Sequence, residues 1–381
     1  MGNITKDSID GMMTTIQNLY LSDSIPWMIG YSGGKDSTAA VQLVWMAIEA
    51  LPQEQRKKTV HIMNTDTLVE SPVVARWVER SLDAMQEAAE ERDLPFVPVR
   101  LTPDWNDTFW VNLIGRGYPF PRMKYRWCTD RLKVRPVNNF IRNKIAEHGE
   151  VILVLGTRKQ ESARRSRTMT NLEKKRVREL LSPNPTLANE LVFSPLEAWS
   201  DDDVWVFLMQ YKNPWGYSNM DLMTMYRGAT ADNECPLMVD RSLPSCGKSR
   251  FGCWVCTMVE SDKSMEAMIA NDEEKEWMLP LLEFRNEFGD LAGIGSGEFF
   301  GGCAAISKGT TGSSFTARTR GRCASIGCAV SWRSSGTSTR QDPTSSTILR
   351  SSVWRSCVPF DAFGCVTSTN LRMHFHGFMR M

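Results

Sequence analysis

Residues 27–37 read WMIGYSGGKDS, an apolar run followed by two glycines, a lysine and an aspartate. The apolar run predicts a buried strand, and the residues from Thr38 to Ala50 predict a helix directly after it. Adjacent glycines let backbone N–H groups close around an anion, and the N-terminus of the following helix faces the same point. Ser32, Ser37 and Lys35 add hydroxyl donors and positive charge. The stretch therefore predicts a phosphate-binding loop between a strand and a helix.

The spacing of this loop excludes a Walker A motif. That motif needs a glycine five residues before Gly34 and a Ser or Thr after the lysine, whereas this chain has Ile29 and Asp36 in those places. The loop instead resembles the PP-loop of the ATP pyrophosphatases, which adenylylate a substrate and release pyrophosphate. A glycine-rich turn without a ligand is the alternative. The resemblance implies that ATP is bound by Ser32, Gly33, Gly34, Lys35, Asp36 and Ser37.

Length and composition allow more than one domain. The chain has 381 residues, of which 42% are apolar, and this is ample for a sizeable core. Its net charge of +1 gives no global signal for nucleic acid, so such binding would need a local basic patch. The first residues lack the features of a signal peptide, and no apolar run approaches the about 18 residues of a membrane span. We expect a cytoplasmic protein with no membrane partner.

Strand and helix signals alternate through the first half of the chain. Further strands are predicted at Val60–Asn64, Phe96–Val99 and Val151–Leu155, and a long helix at Val73–Arg92. This alternation predicts an α/β fold with a doubly wound parallel sheet. The phosphate loop would lie at the carboxyl edge of that sheet, where such folds bind ligands.

Polar residues follow two other predicted strands. Asp66 comes after the second strand, and Gly156, Arg158 and Arg164 come after the fourth. We expect all four to converge on the nucleotide, with Arg158 in a catalytic role. The alternatives are a turn cap for Asp66 and a solvated charged stretch for the arginines.

Three regions are predicted along the chain. Residues 1–198 form the nucleotide-binding domain, in which 166–192 is predicted to be a basic loop or helix. Ser200, followed by three aspartates, predicts the N-cap of a helix that opens a smaller helical region, 199–288. Residues 289–381 are rich in Ser, Thr, Gly, Arg and Cys without periodicity, which predicts a disordered tail or translation in a shifted reading frame.

Four cysteines of the helical region have metal-ligand spacing. Cys235, Cys246, Cys253 and Cys256 form a C-x10-C-x6-C-x2-C pattern. Four thiolates can ligate one metal centre, and the interpretations that stay open are a [4Fe–4S] cluster, a structural Zn²⁺ and merely buried cysteines.

Another cysteine, Cys128, stands alone in a basic setting. Lys124, Arg126, Arg131 and Lys133 surround it in sequence and would favour the thiolate, the form that attacks or carries sulfur. We expect a catalytic thiol that carries a persulfide, with a small buried apolar residue as the alternative.

Taken together, these motifs resemble the phosphoadenosine phosphosulfate reductase superfamily. The likeness spans residues 10–288 and rests on the loop at 32–37, on 64–67, 126–129 and 156–162. With the four-cysteine segment, the chain is similar to the DndC family of DNA phosphorothioation sulfurtransferases within that superfamily.

The resemblance implies an ATP-dependent sulfurtransferase that replaces a non-bridging oxygen of the DNA backbone by sulfur. It implies Lys35 and Asp36 as catalytic residues beside Cys128 and Arg158, with Mg²⁺ held by Asp36 or Asp66. The implied partners are DNA, a cysteine desulfurase as sulfur donor and other phosphorothioation subunits. A sulfonucleotide reductase, a tRNA-thiolating enzyme and a non-catalytic DNA-binding subunit are the rival interpretations.

Overall fold

The structure is a computed structural model that describes residues 4–230 and 251–291. Contacts divide the chain into two compact units. Within the described residues, the first unit comprises the chain up to Pro103, Thr129–Cys256 and Asp262–Glu283. The second unit comprises Asp104–Cys128, Thr257–Ser261 and the residues from Phe284 onward. The predicted sites at Cys235 and Cys246 and nearly all of the predicted tail 289–381 lie outside the described residues.

The first unit is built on a sheet whose described part has six strands in the order β3-β2-β1-β4-β6-β5. All neighbours pair in parallel except β5, which is antiparallel to β6. The predicted α/β fold with a mainly parallel, doubly wound sheet is therefore confirmed. The strands are β1 (Trp27–Gly30), β2 (Val60–Thr65), β3 (Phe96–Leu101), β4 (Val151–Val154), β5 (Ser182–Pro183) and β6 (Glu190–Phe193).

The prediction of a basic loop or helix over residues 166–192 is wrong for its second half, which contributes β5 and the start of β6. The physical reason is length and composition. Strand β6 has only four residues and opens with an acid, Glu190, so it carries too little apolar signal to be recognised alone. It is stabilised by its parallel ladder with β4, a long-range contact that local sequence does not reveal.

The central strands are buried on both faces, which fixes the register of the sheet. Trp27 pairs with Ile152 and Met28 with Leu153, and all but Leu153 are fully buried. Burying each such side chain contributes about 1.5–3 kcal/mol. The carboxyl ends of β1 and β4 are therefore held side by side.

Helices connect the strands of this sheet along the chain, and further helices follow its last strand. Helix α2 begins at Lys35, three residues before the predicted start at Thr38, so the charged end of the glycine loop is its first turn. Ser200 caps α6 as predicted, through a capping box with Asp203. The helices are α1 (Lys6–Leu21), α2 (Lys35–Glu49), α3 (Pro72–Glu91), α4 (Arg135–His148), α5 (Ala163–Glu173), α6 (Asp201–Gln210), α7 (Asn219–Gly228), α8 (Lys263–Asn271) and α9 (Leu279–Leu291).

Aromatic packing organises the second unit. Trp127 stacks on Phe109 with ring centroids 5.4 Å apart and donates its indole N–H to the carbonyl oxygen of Pro119 at 2.9 Å. Arg285 is 1% exposed and donates to the main-chain carbonyls of Val259 and Glu260. Cross-contacts of this kind hold together segments that are far apart in sequence.

Within the described residues, no helix has both the length and the apolar character needed to cross a membrane.

Candidate functional site

The carboxyl ends of β1, β2 and β4 open into one cleft of about 1460 Å³. It lies where the strand order reverses between β1 and β4, the position at which open α/β sheets bind ligands. Its walls include residues 30–32 and 34–37 at the end of β1, 63–66 and 70 at the end of β2, and 153, 155–158 and 160–162 at the end of β4. This volume exceeds the about 300–1,000 Å³ of a typical small-molecule site. The cleft is therefore large enough for more than one small molecule.

The glycine loop has the geometry of an anion cradle. Gly33 has φ +74°, and a Cβ there would overlap the side chain of Val78, so only glycine fits. Ser32 N–H donates to Ser37 Oγ at 3.1 Å, which closes the loop. Gly34 is the N-cap of α2 and provides no side-chain acceptor. The N-terminus of α2, with its positive dipole end, lies on the cleft wall, where it favours a phosphate.

Two buried cations and two carboxylates form a network behind this loop. Lys35 is 4% exposed, and its Nζ donates to Asp36 at 3.1 Å and to Asp201 Oδ1 at 2.6 Å. Arg158 is 2% exposed, and its Nε donates to Asp36 Oδ1 at 2.7 Å and its Nη2 to Asp201 Oδ1 at 2.6 Å. Each carboxylate thus receives both cations. The network is charge-balanced and joins the ends of β1, β4 and α6.

The network shifts the pKa values of Arg158 and Asp201. Burial alone would lower the pKa of Arg158, but Asp36 and Asp201 outweigh it and raise that pKa above its ordinary value. Burial likewise raises the pKa of Asp201, yet Lys35 and Arg158 outweigh this effect and hold it below the ordinary value. Burial raises the pKa of Tyr226 to about 12, so its hydroxyl, which accepts from Lys35 N–H at 3.3 Å, stays neutral. The guanidinium of Arg158 is therefore kept charged and oriented, as stabilisation of phosphate charge requires.

Gly156 permits the contact between the loop after β4 and the first turn of α2. A Cβ at Gly156 would overlap the main-chain oxygen of Asp36 and lie 2.8 Å from its carbonyl carbon. This close approach is what brings Arg158 within reach of Asp36. A second brace is the bond from Arg158 N–H to Glu161 Oε1 at 2.8 Å.

Asp66 lines the cleft at the end of β2 and also closes a turn. Its Oδ1 accepts from Leu68 N–H at 2.8 Å, and its Oδ2 accepts from Arg100 Nη2 at 2.7 Å. The residue therefore has both the location expected for a nucleotide or Mg²⁺ ligand and the turn contact that was its alternative interpretation.

Cys253 lies against the loop that follows β2. Trp254 N–H donates to Val69 O at 3.1 Å, and Thr67 Oγ1 is 3.5 Å from Cys253 Sγ. The residue as a whole is only partly buried, but desolvation of the sulfur, with Glu70 adding to it, raises the pKa of the thiol to about 12. The C-x2-C end of the cysteine segment is thus anchored beside the loop whose Glu70 lines the cleft.

The metal and sulfur sites are only partly within the described residues. Cys256 is held close to Cys253 by a hydrogen bond, in which the Cys256 N–H donates to Cys253 O at 3.0 Å. Among residues 4–230 and 251–291, no three His, Cys, Asp or Glu side chains are grouped to hold a metal ion. The half-buried Cys128 belongs to the second unit.

The cleft brings together most of the residues that the sequence singled out, but not all. Gly33 supports the loop from behind the cleft lining. Arg165, rather than Arg164, is on the cleft wall. The predicted residues on the wall are Ser32, Gly34, Lys35, Asp36, Ser37, Asp66, Gly156 and Arg158.

Sequence reasoning missed Asp201 and Tyr226. The run of three aspartates after Ser200 suggested only a helix cap, and Asp203 does serve that cap by accepting from Ser200 N–H at 2.8 Å. The signal that identifies Asp201 is the surplus of acids, because one aspartate suffices for a capping box. Tyr226 has no comparable sequence signal.

The family model of the phosphoadenosine phosphosulfate reductase domain matches residues 26–258. The chain belongs to this family. The phosphoadenosine phosphosulfate reductase domain thus begins just before β1 and ends two residues after Cys256.

An uncharacterized protein of Methanocaldococcus jannaschii is 26% identical over 245 residues, which are 64% of this chain and 39% of that relative. The chain thus spans well under half the length of the relative. A phosphoadenylyl-sulfate reductase from Candida auris, solved as a phosphate complex, has 12% identity and a TM-score of 0.33, covering 55% of this chain and 87% of its own. A U34-tRNA thiolase from Methanococcus maripaludis, solved with its [4Fe–4S] cluster, has 16% identity and a TM-score of 0.34, covering 82% of this chain and 93% of its own.

Proposed function

We propose that this protein is an ATP-dependent sulfurtransferase that replaces a non-bridging oxygen of a DNA backbone phosphate by sulfur. The observation that carries the ATP-dependent part is the pair of buried cations, Lys35 and Arg158, fixed by Asp36 and Asp201 at the N-terminus of α2. DNA as the substrate is supported by the resemblance of the PP-loop, Cys128 and four-cysteine pattern to the phosphorothioation sulfurtransferases.

In the first step a non-bridging oxygen of the backbone attacks the α-phosphorus of ATP. The bond from that phosphorus to the bridging oxygen breaks, and pyrophosphate leaves. Lys35, Arg158 and the N–H groups of the loop stabilise the charge that develops on the leaving group. Mg²⁺ held by Asp36 or Asp66 would supply further charge neutralisation on the phosphates. Adenylylation turns a very poor leaving group, oxide, into AMP.

In the second step sulfur displaces AMP. A cysteine desulfurase transfers sulfur to Cys128, and the terminal sulfur of the resulting persulfide attacks the backbone phosphorus. AMP leaves with the oxygen, and a second thiol then cleaves the S–S bond, so that the phosphorothioate is released and a disulfide is formed. The basic residues around Cys128 in sequence favour the anionic sulfur that this attack requires.

Cys253 and Cys256, together with Cys235 and Cys246, would hold a [4Fe–4S] cluster, or alternatively Zn²⁺. The described pair fits such a role in spacing and in its anchoring beside the loop after β2. The cluster would supply electron transfer or structural support.

The deciding experiment measures phosphorothioate linkages in cellular DNA. Cells that contain the partner subunits would express the wild type, Lys35→Ala or Lys57→Ala, and digested DNA would be analysed by mass spectrometry. Lys57 is an exposed lysine before β2 and serves as the matched control. We expect linkages with the wild type and with Lys57→Ala, and none with Lys35→Ala.

Two outcomes would contradict the proposal. One is DNA without phosphorothioate in every strain while a thiolated tRNA base depends on this protein. The other is release of sulfite from an adenylyl sulfate by the purified wild type, with no pyrophosphate formed from ATP and DNA.

A further inference from the structure

Helix α5 and its flanks carry two sets of cations that differ in their surroundings. The first set is paired with carboxylates. Arg165 contacts Glu161 at 3.3 Å, Arg176 contacts Glu197 at 3.1 Å, and Lys159 bonds to Glu173. These pairs fasten α5 to the neighbouring loops, so their cations have a structural explanation.

The second set, which we name the α5 stripe, comprises Arg164, Arg167, Lys174 and Lys175. All four are exposed. Among the described residues, no carboxylate lies within ion-pair distance of any of them. The stripe therefore keeps its full positive charge toward solvent.

Helical geometry places the stripe on one face. At about 100° per residue, Arg164, Arg167 and Lys174 fall within a sector of roughly 80° and extend over about 15 Å. The opposite face holds the partly buried residues Met169 and Leu172. The stripe thus runs along one side of the helix rather than around it.

The position of the stripe is not explained by helix stability. The first turn of α5 contains no acid and includes two arginines, Arg164 and Arg165, so its charges oppose the helix dipole. The helix has no fully buried residue, and it starts beside the nucleotide cleft, whose wall includes Ser162 and Arg165. A row of cations that leads away from the mouth of this cleft is suited to a long polyanion.

We propose that the α5 stripe binds the phosphate backbone of double-stranded DNA and presents a neighbouring phosphate of the same strand to the cleft. This inference rests on the proposed function. Successive phosphates of one strand advance by about 3.4 Å along the duplex, so a row of about 15 Å spans roughly four of them. Backbone contacts of this kind set register and orientation and carry no sequence information. The stripe therefore positions DNA without selecting its sequence.

The test measures the affinity of the full chain for a fluorescently labelled DNA duplex by anisotropy over a range of salt concentrations. The variant is Arg167→Gln with Lys174→Gln, which removes two stripe charges and keeps good helix formers. We expect the slope of log affinity against log salt to become shallower by about 2, and the affinity at low salt to fall tenfold or more.

The control variant, Lys57→Gln with Arg142→Gln, removes the same charge from exposed positions before β2 and on α4. It should keep the wild-type slope. Thermal unfolding of both variants should match the wild type, which separates lost binding from lost folding. At saturating DNA the rate of pyrophosphate release should be unchanged in the stripe variant, while the KM for DNA rises.

A wild-type slope in the stripe variant would overturn the inference, whether or not cells contain phosphorothioate. Failure of the wild type to bind the duplex, or tighter stripe-dependent binding of tRNA than of DNA, would overturn it as well. Conversely, the stripe variant could show the shallower salt dependence while cells with the wild type never contain phosphorothioate. That result would support DNA binding by the stripe and refute the proposed function.

Discussion

Two charged residues of the first unit, Arg158 and Glu190, are equally buried but differently satisfied. Each is 2% exposed. Arg158, after the carboxyl end of β4, donates to Asp36, Asp201 and the carbonyl oxygen of Trp199. Glu190 opens β6 at the amino edge of the sheet. Its carboxylate oxygens have no hydrogen bond of good geometry among the described residues, and the Asn184 side chain offsets only part of the burial that raises its pKa.

The difference separates a buried charge that can act on a ligand from one that only affects stability. A buried charge that is matched by partners has a fixed geometry and stays ionised, which makes it available for phosphate chemistry. A buried carboxyl without good partners lowers stability when it ionises and contributes no charge to a site. We therefore expect ligand binding at the carboxyl edge. At the amino edge we expect the ionised carboxyl of Glu190 to lower stability, so that a neutral side chain there would raise it.

The largest expected effect is that of Arg158→Ala. Loss of the guanidinium leaves Asp36 and Asp201 facing Lys35 alone, so we expect pyrophosphate release to fall by about 10²–10³-fold. Breaking the buried pairs should also lower the free energy of unfolding by about 3–5 kcal/mol. Stopped-flow pyrophosphate detection and urea unfolding measure the two effects. Arg158→Lys, which restores charge but cannot make the same paired bonds, should recover stability more than activity.

Arg178 supplies the control for this comparison. It is an exposed arginine that contacts Asp23 at 3.3 Å and Glu150 at 3.1 Å. Arg178→Ala should cost at most about 1 kcal/mol, because exposed ion pairs contribute little. Equal losses of activity in the two alanine variants would remove the distinction between the matched, buried cation and an ordinary surface one.

A smaller effect is expected from Gly156→Ala. The added methyl group overlaps the main chain of Asp36 and pushes the loop after β4 away from α2. We expect destabilisation of about 1–3 kcal/mol, since overpacking forces backbone shifts of this kind. The rate of pyrophosphate release should also fall, even under conditions in which the variant is fully folded. Gly11→Ala in α1, where nothing lies within 4 Å of an added Cβ, should instead be neutral or stabilising. If Gly156→Ala behaves like Gly11→Ala, the close approach does not position the network.

The sequence predicted the part of the site that local pattern controls. The glycine loop, the lysine and the capped helix α6 depend on neighbours within a few residues, and each was found from such neighbours. Arg158 was found because it follows a strand that is apolar throughout and hence buried. The parallel sheet followed from the alternation of strands and helices.

The remainder depends on contacts that sequence does not display. Asp201 joins the site because α6 crosses to the first turn of α2, more than 160 residues earlier in the chain. Arg165 lines the cleft in place of Arg164 because one residue turns a helix by about 100°, and the start of α5 fixes which of the two faces the cleft. Strand β6 was missed because its four residues are stabilised by β4 rather than by their own pattern.

The smallest effect, and the one that tests the amino edge, is expected from Glu190→Gln. Burial raises the pKa of Glu190, so the stability associated with its neutral form is fully present below the ordinary pKa of about 4.3 and is lost as the pH rises through the raised value. Glutamine stays neutral at every pH. The variant should therefore be more stable than the wild type at pH 8, by on the order of 1 kcal/mol, and equal to it at pH 4.

Urea unfolding at the two pH values measures this difference, with Glu91→Gln as the control because Glu91 is exposed on α3. That control should stay within about 0.5 kcal/mol of the wild type at both pH values. A Glu190→Gln variant that is less stable at pH 8 would mean that the ionised carboxylate gains from its surroundings. Arg158 and Glu190 would then both be satisfied charges, and burial with partners would no longer distinguish the edge that binds ligands. A gain at pH 8 that vanishes at pH 4 assigns the cost to ionisation itself, since the two side chains have nearly the same shape.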